Sequence, residues 1–482
     1  MKNIAAVLHE KWCEECGYRE LLNLAFPLVL SMGAISIQHF VDRMFLTWYS
    51  PETIAAVTPA GMLNFTVLSF FIGTAMYVNT FVAQYYGSEQ FERIGPSLWQ
   101  GIYFAVIGGI VLIVMAPFAS DIFKSVGHEN MVRLNETHYF RILCYGAAPA
   151  IASTAFSGFY SGRGKTWTVM FVNLCATSMN ILLDYLLIFG NAGFPELGIR
   201  GAAIATIISY CVSFGIFFIM VMRRPNREKY NTAQGWMFDR DLFMRMVRFG
   251  VPNGIQFFLE IAGLTIFIIL IGRLGTPYLA ATNIAFNINS IAFLPMIGMG
   301  MAIMIVVGQH IGKNRPDLAE KSVYSGLQLT MVYIGILSGM YVMIPGLFLA
   351  PYASMADSVS FDFIRDITVV LLRFVAFYSI FDALNIVFAY AIKGAGDTQF
   401  VMKVIVLDTL FVLVMPSYIA LEIFDMNIYI GWIFISAFVV VLGLAFYLRF
   451  KGGKWKSMSV IETPPPSIPS TLPDTPFFDS EQ

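Results

Sequence analysis

The chain has 482 residues, of which 57% are apolar and only 13% charged, with a net charge of −1 and a mean hydropathy of +0.69. A water-soluble domain needs about a quarter of its residues charged, so this composition excludes a soluble globular protein. The small net charge says nothing about partners, because loops and membrane spans have to be counted separately.

Residues 1–18 are polar and read as a cytoplasmic tail. The first apolar run is a full span, so no cleavable signal peptide is expected. Within the tail, Cys13-x-x-Cys16 is half of a zinc-site pattern with no second pair nearby, and four ligands are usual. Cys144, Cys175 and Cys211 lie in apolar runs and read as small packing residues. A transmembrane helix takes about 20 apolar residues. Runs of that kind occur near 20–48, 54–84, 95–120, 136–160, 167–190 and 198–222, forming a unit over 19–222. A basic linker, 223–242, follows with Arg223, Arg224, Arg227, Lys229 and Arg240. A second unit, 243–450, has runs near 243–272, 278–310, 316–350, 361–392, 400–423 and 427–450. The tail, 451–482, is rich in Pro, Ser and Thr and is expected to be disordered; Pro-rich segments also serve as partner-binding tails.

The two units repeat one another. At one constant offset Pro27 falls on Pro252, Ala55-Ala56 on Ala280-Ala281, Asn64 on Asn289 and Ile72-Gly73 on Ile297-Gly298. Gln84-x-x-Gly87 falls on Gln309-x-x-Gly312. After a register shift, Arg141, Gly162-x-Gly164 and Thr166 meet Arg373, Gly394-x-Gly396 and Thr398. An apolar chain duplicated in one direction suggests a transporter with its site between the halves.

Lysine and arginine set the orientation. Lys2, Lys11, Arg19, Arg163, Lys165, the cluster from Arg223 to Arg248, Lys313, Arg315, Lys393 and the run from Arg449 to Lys456 fall on one side. The opposite loops offer mainly Lys124, Arg133, Arg200 and Arg273. With an even number of spans, both termini are expected in the cytoplasm and the protein in the bacterial inner membrane.

A charge at mid-bilayer costs about 2.5–3.5 kcal/mol on insertion scales, so each one needs a reason. The acids are Asp42 in the first span, Asp184 in the fifth, Glu260 in the seventh and Asp382 in the tenth. Asp408 in the eleventh is set aside, because its run starts near Lys403 at the cytoplasmic surface. Tyr378 precedes Asp382 by one helical turn, and Asn283 and Asn287 share the same spacing on the eighth span. Asn180 and Asp184 repeat it on the fifth, with Thr206 on the sixth. Two pockets result, one per half. Such carboxylates either carry a proton at neutral pH or join amide and hydroxyl oxygens around sodium. An organic cation competes for the same charge, and this competition gives antiport. Alternatively, the acids pair with Arg43, Arg141 or Arg373 as structural salt bridges.

Other signals are weaker. Gly162-Arg-Gly-Lys-Thr166 resembles a phosphate-binding loop, but Phe159 stands where that motif needs glycine. Gly394-Ala-Gly-Asp-Thr398 occupies the matching place, so this is a repeated turn and no ATP is expected. The aromatics and 26 methionines suit a permissive wall for flat cations, though lipid-facing packing explains most of them. His39 beside Asp42 reads as a titrating group or as a hydrogen-bonded structural histidine. Pro27, Pro149, Pro252, Gly254, Pro295, Gly298 and Gly300 permit close packing and bending.

Across roughly 19–450 the chain resembles the multidrug and toxic compound extrusion (MATE) family of cation antiporters, in its NorM-like branch. The resemblance rests on Asn180-Ile-Leu-Leu-Asp184-Tyr-Leu-Leu-Ile-Phe-Gly190, on Gly198-x-x-Gly201-Ala-Ala-x-Ala-Thr206 and on the two Gln-x-x-Gly motifs. Glu260 after Val251-Pro252, and Tyr378-x-x-x-Asp382, complete it. It implies an all-α integral membrane protein of twelve helices in two pseudo-symmetric six-helix lobes. The implied function is export of amphipathic, often cationic compounds against inward sodium or protons by alternating access. It is not an enzyme; no cofactor, nucleic acid or ATP is expected, and the unit is a monomer in a lipid bilayer. By this resemblance Glu260, Tyr378 and Asp382 form one cation site, and Asp42, Asn180, Asp184 and Thr206 another; sodium is a candidate at either. The main rival is a lipid-linked glycan flippase, whose anionic substrate calls for a cavity rich in Arg or Lys.

Overall fold

The computed structural model describes residues 11–12, 14–126, 128–353 and 358–462. Among them all regular structure is helical, and eleven helices are long and apolar enough to cross a membrane, or twelve when one bent pair counts as a single span. Helices satisfy their own backbone polar groups, as hydrocarbon requires. In the first half α1 is Tyr18–Tyr49, α2 Pro51–Gly87, α3 Phe91–Lys124, α4 the bent pair Asn130–Tyr145 and Ala147–Ser161, α5 Thr166–Phe189 and α6 Ile199–Val221. In the second α7 is Arg240–Arg273, α8 Thr276–Gly312, α9 Pro316–Met343, α10 Phe361–Ala395, α11 Thr398–Ile423 and α12 Ile428–Lys451. The 47° bend in α4 has a local cause: Pro149 lacks an N–H and its ring presses on the Tyr145 carbonyl one turn earlier. The run expected to reach residue 350 stops at Met343, where Pro345 drives Ile344 out of the helical region and opens a separate helix, Pro345–Ala353.

Two bundles form, one from each half. In the first, α1 packs on α5, α5 on α6 and α3 on α4; in the second, α8 packs on α10, α10 on α12 and α9 on α10. The bundles meet through α2 on α7, α1 on α8, and the last turns of α2 on α8. Midway along the spans Gly73 faces Gly254, where a Cβ on Gly73 would lie 3.0 Å from the Gly254 Cα. There Asn253 Nδ2 donates to the Gly73 carbonyl at 2.6 Å.

Toward the end of the molecule that carries the basic linker, the repeated motifs interlock. Gln84 Nε2 donates to Gly394 O at 3.0 Å, and Gln309 Nε2 donates to Gly162 O at 2.9 Å. Each glutamine thus caps the Gly-x-Gly turn of the opposite half. A Cβ on Gly87 would strike the Gln309 carbonyl, and one on Gly312 the Gln84 carbonyl. The second glycine of each turn is left-handed, at φ +77° for Gly164 and +117° for Gly396, which disfavours any residue with a side chain. The repeated turn is a bundle-to-bundle latch.

Three expectations change. The tail is not disordered from 451: Lys454–Ser457 forms a short helix, and Trp455 is fully buried and stacked on Phe450, centroids 4.8 Å apart. Val460, 1% exposed, enters a hydrophobic cluster built mainly from the first half. Its N–H and the Ser459 hydroxyl donate to Gln84 Oε1 at 2.9 and 3.0 Å, while Glu462 pairs with Arg93 of α3 and Arg245 of α7. Composition hid two apolar anchors; residues 463–482 lie outside the described residues. Lys393, expected among loop charges, is instead in the last turn of α10 and 4% exposed. Asp408 lies well inside α11 rather than at the surface, 3% exposed, with neither carboxyl oxygen partnered; a π-helical stretch, Thr409–Val414, follows it.

Cys16 is also buried, its Sγ 3.1 Å from His310 Nε2 of α8. Burial, followed by the nearby Glu20 and Glu15, pushes its thiol up to about 12. Among the described residues no three His, Cys, Asp or Glu side chains are grouped to hold a metal; Cys13 lies outside them. The thiol therefore acts as a buried pin for the N-terminal turn.

Three outcomes follow, each read on the purified protein in detergent. Gln84→Ala lowers the melting temperature more than Gln309→Ala, because it orphans the buried Val460 N–H as well as a carbonyl, at about 1–3 kcal/mol per buried group. Asp408→Leu raises it, since removing an unpartnered buried carboxyl recovers a penalty of similar size. Cys16 resists maleimide at pH 8 until the protein is unfolded, because the thiolate, not the thiol, is the nucleophile.

Candidate functional site

In the first bundle, α1 and α5 bring Asp42, Asn180 and Asp184 together. Asp184 and Asn180 are fully buried and Asp42 is 7% exposed. With its amide oriented to satisfy its neighbours, Asn180 donates to Asp184 Oδ2 and to Asp42 Oδ1, at 3.2 Å each. The Asp42 and Asp184 carboxyls also lie within hydrogen-bonding reach of each other. Two carboxyl groups can share such a bond only when one of them carries a proton. Thr206 is buried nearby on α6, but its hydroxyl donates to Ala202 O at 3.0 Å, its own helix, rather than to either acid.

In the second bundle, Glu260 on α7 and Asp382 on α10 interact electrostatically. Each is held by an amide of its own helix: Gln256 Nε2 donates to Glu260 Oε1 at 3.1 Å, and Asn385 Nδ2 to Asp382 Oδ1 at 3.0 Å. Tyr378 is 3% exposed and interacts with Asp382 from one turn away. Two expected members are absent from this group. Asn283 and Asn287 lie on an exposed face of α8, because its buried stripe is Ala281, Thr282, Ala285, Ile288 and Ala292. Their one-turn spacing puts them on a common face, and that face is exposed rather than packed against the acids.

The arginine reading fails among the described residues. Arg43 and Arg373 are exposed and make no ion pair with these acids, and Arg141 donates to Ala116 O at 3.3 Å. His39 is exposed next to Asp42. Several neighbours were missed. Gln38 precedes Asp42 by one turn and touches the Asn180 amide, so the helical spacing was there to find it. Tyr139 of α4 and Tyr210 of α6 are felt by Asp42, Tyr139 by Asp184 as well; only packing across helices brings them in. Lys393 is the missed cation of the second group, its charge acting on Glu260.

Comparison with known proteins agrees with this architecture. The MatE family model matches residues 27–186 and again 252–419, so each half matches separately. The "Probable multidrug resistance protein NorM" of Thermotoga maritima is 24% identical over 457 residues, spanning 92% of this chain and 94% of that protein. The "Probable multidrug resistance protein YoeA" of Bacillus subtilis is 28% identical over 325 residues, spanning 66% and 70%. Among solved structures, a MATE in complex with MaL6 superposes with a TM-score of 0.83 at 18% identity, covering 93% of this chain and 98% of its own. The outward-facing conformation of a multidrug resistance MATE family transporter gives 0.81 at 18%, covering 91% and 96%. With a duplicated helical fold, a latch joining the halves and a family match across both of them, the chain belongs to the MATE family, a family of multi-pass membrane efflux transporters.

Proposed function

We propose that this transporter exports amphipathic organic cations in exchange for an inward-moving small cation, with protons as the coupling ion at the first bundle. The observation that carries this is the pairing of Asp42 with Asp184 beside Asn180, with no ion pair from either acid to an arginine among the described residues. The Asp42 and Asp184 carboxyls lie within hydrogen-bonding reach of each other, an arrangement that calls for a proton on one of them. The second bundle supplies the organic-cation subsite at Glu260, Asp382 and Tyr378. Both groups are complete within one chain, in keeping with a monomer.

The latch supports a rocking cycle. The bundles are joined from the Gly73 and Gly254 crossing at mid-span down to the Gln84 and Gln309 contacts at the basic end. With that end and both termini in the cytoplasm, this state opens outward. Exchange of ligands then selects between states by their difference in affinity. A flippase for an anionic lipid-linked substrate needs basic side chains turned into the pocket, and Lys393 alone meets that description among the described residues, acting on an acid.

The test is efflux of ethidium from proteoliposomes under an imposed proton gradient, then under a sodium gradient. A proton gradient alone should drive the wild type. Asp184→Asn should cut proton-driven efflux by about tenfold or more, the size of a typical coupling free energy, and Glu260→Gln should weaken ethidium binding. Efflux driven only by sodium, or an unaffected Asp184→Asn, would refute the proton assignment.

A further inference from the structure

Lys393 has no role in the scheme above, yet its setting is unusual. It is the one buried lysine among the described residues, at 4% exposure. A lysine costs more to bury than almost any other side chain unless it is paired, and Nζ makes no ion pair here. Nζ lies over the ring of Tyr390, 4.1 Å from its centroid. That ring is wedged against Gly300 of α8, where a Cβ would come within 2.9 Å of it. Lys393 and Tyr390 both feel the charge of Glu260, and among the described residues Lys393 is the cation that acts on that carboxylate. The first half has no equivalent. Ser161 stands at the matching place, its hydroxyl donating to Ser157 O at 2.9 Å. Arg163, two residues on, is held by Phe159 O and Asn226 and stacked on Phe159 and Tyr230.

The main chain of Lys393 is equally informative. Its carbonyl accepts from the Tyr77 hydroxyl of α2 at 2.7 Å, and the next carbonyl, Gly394 O, accepts from Gln84. The turn that carries the lysine is therefore clasped by the opposite bundle.

We propose that Lys393 is a tethered counter-cation of the Glu260 subsite: it competes with the organic cation for that carboxylate, and its position is tied to bundle closure through Tyr77 and Gln84. The inference rests on the reading of Glu260 as the cation subsite. With the clasp made, the ammonium is held toward Glu260 and lowers its pull on a ligand, which favours release on the open side. When the bundles part at the basic end, the Tyr77 and Gln84 bonds break and the last turn of α10 is freed, so the carboxylate regains its full attraction for cargo. Lys393 is a positioning residue that acts through Glu260.

The experiment is a double-mutant cycle on equilibrium binding of ethidium to the full-length protein in detergent, read by fluorescence anisotropy. Lys393→Met should tighten binding about fivefold or more, the lower end of ordinary site-to-site coupling. Lys393→Gln serves as a second neutral variant if the Met protein does not fold, and Lys393→Arg should bind as the wild type does. In a Glu260→Gln background, Lys393→Met should change affinity by less than about twofold, because the interaction it removes is already gone. Unchanged or weaker binding in both neutral variants would overturn the proposal. So would equal tightening in the Glu260→Gln background, which would mark a packing effect. If Glu260→Gln itself binds ethidium as tightly as the wild type, the subsite reading fails instead, and the two failures are told apart.

Discussion

A carboxylate cannot rest inside an apolar bundle unless something offsets its charge, and the architecture of this transporter is arranged around that constraint. An isolated ion moved into a low-dielectric interior loses several kcal/mol even after relaxation. The two halves, though descended from one pattern, answer the problem differently. In the first, Asp42 and Asp184 face each other across the Asn180 amide, an arrangement that suits a shared proton. In the second, Glu260 and Asp382 are each held by a neighbouring amide, and a lysine from the end of α10 adds positive charge. Duplication supplied two equivalent frames, and divergence within them supplied two differently built groups of buried acids.

The frames are joined by exchange. Each glutamine of the repeated Gln-x-x-Gly motif caps a glycine turn of the other half, so neither half completes its own end. Tight glycine crossings at Gly73 and Gly254 let the backbones of α2 and α7 approach closely enough for Asn253 to reach across. Small residues at such crossings are what van der Waals packing in lipid favours. Apolar packing fills the seam around these hydrogen bonds, with Phe65 against Phe257, Phe81 against Phe249, and Leu21, Leu24 and Ala25 clustered with Ile303 and Val306.

Much of this was legible in the chain itself. Apolar runs located the spans because hydrocarbon leaves no other way to satisfy a backbone, and matched pairs such as Pro27 with Pro252 exposed the duplication. The acids stood out because each is expensive where it lies. What stayed hidden depends on which helix face meets which neighbour. Asn283 and Asn287 share a face by spacing, yet spacing does not say whether that face is buried. Asp408 was assigned to the surface by its distance from Lys403, although α11 begins only at Thr398 and carries it well inside. Tyr139 and Lys393 come to their acids from other helices, a relation with no periodic trace in sequence. The tail misled for another reason: proline-rich composition averaged away Trp455 and Val460, two apolar residues with specific sockets.

Those sockets make the stretch behind α12 part of the moving assembly. Val460 is chemically continuous with the second bundle and seated in the first, with Glu462 touching arginines of both. Any stroke that separates the bundles at this end must unplug that residue and lay bare its isopropyl group. Reporter domains grafted directly after Lys451 would leave the socket vacant, and cells carrying such fusions would seem to lack pumping for reasons unconnected with ion chemistry. Grafts placed beyond Glu462 keep the plug intact.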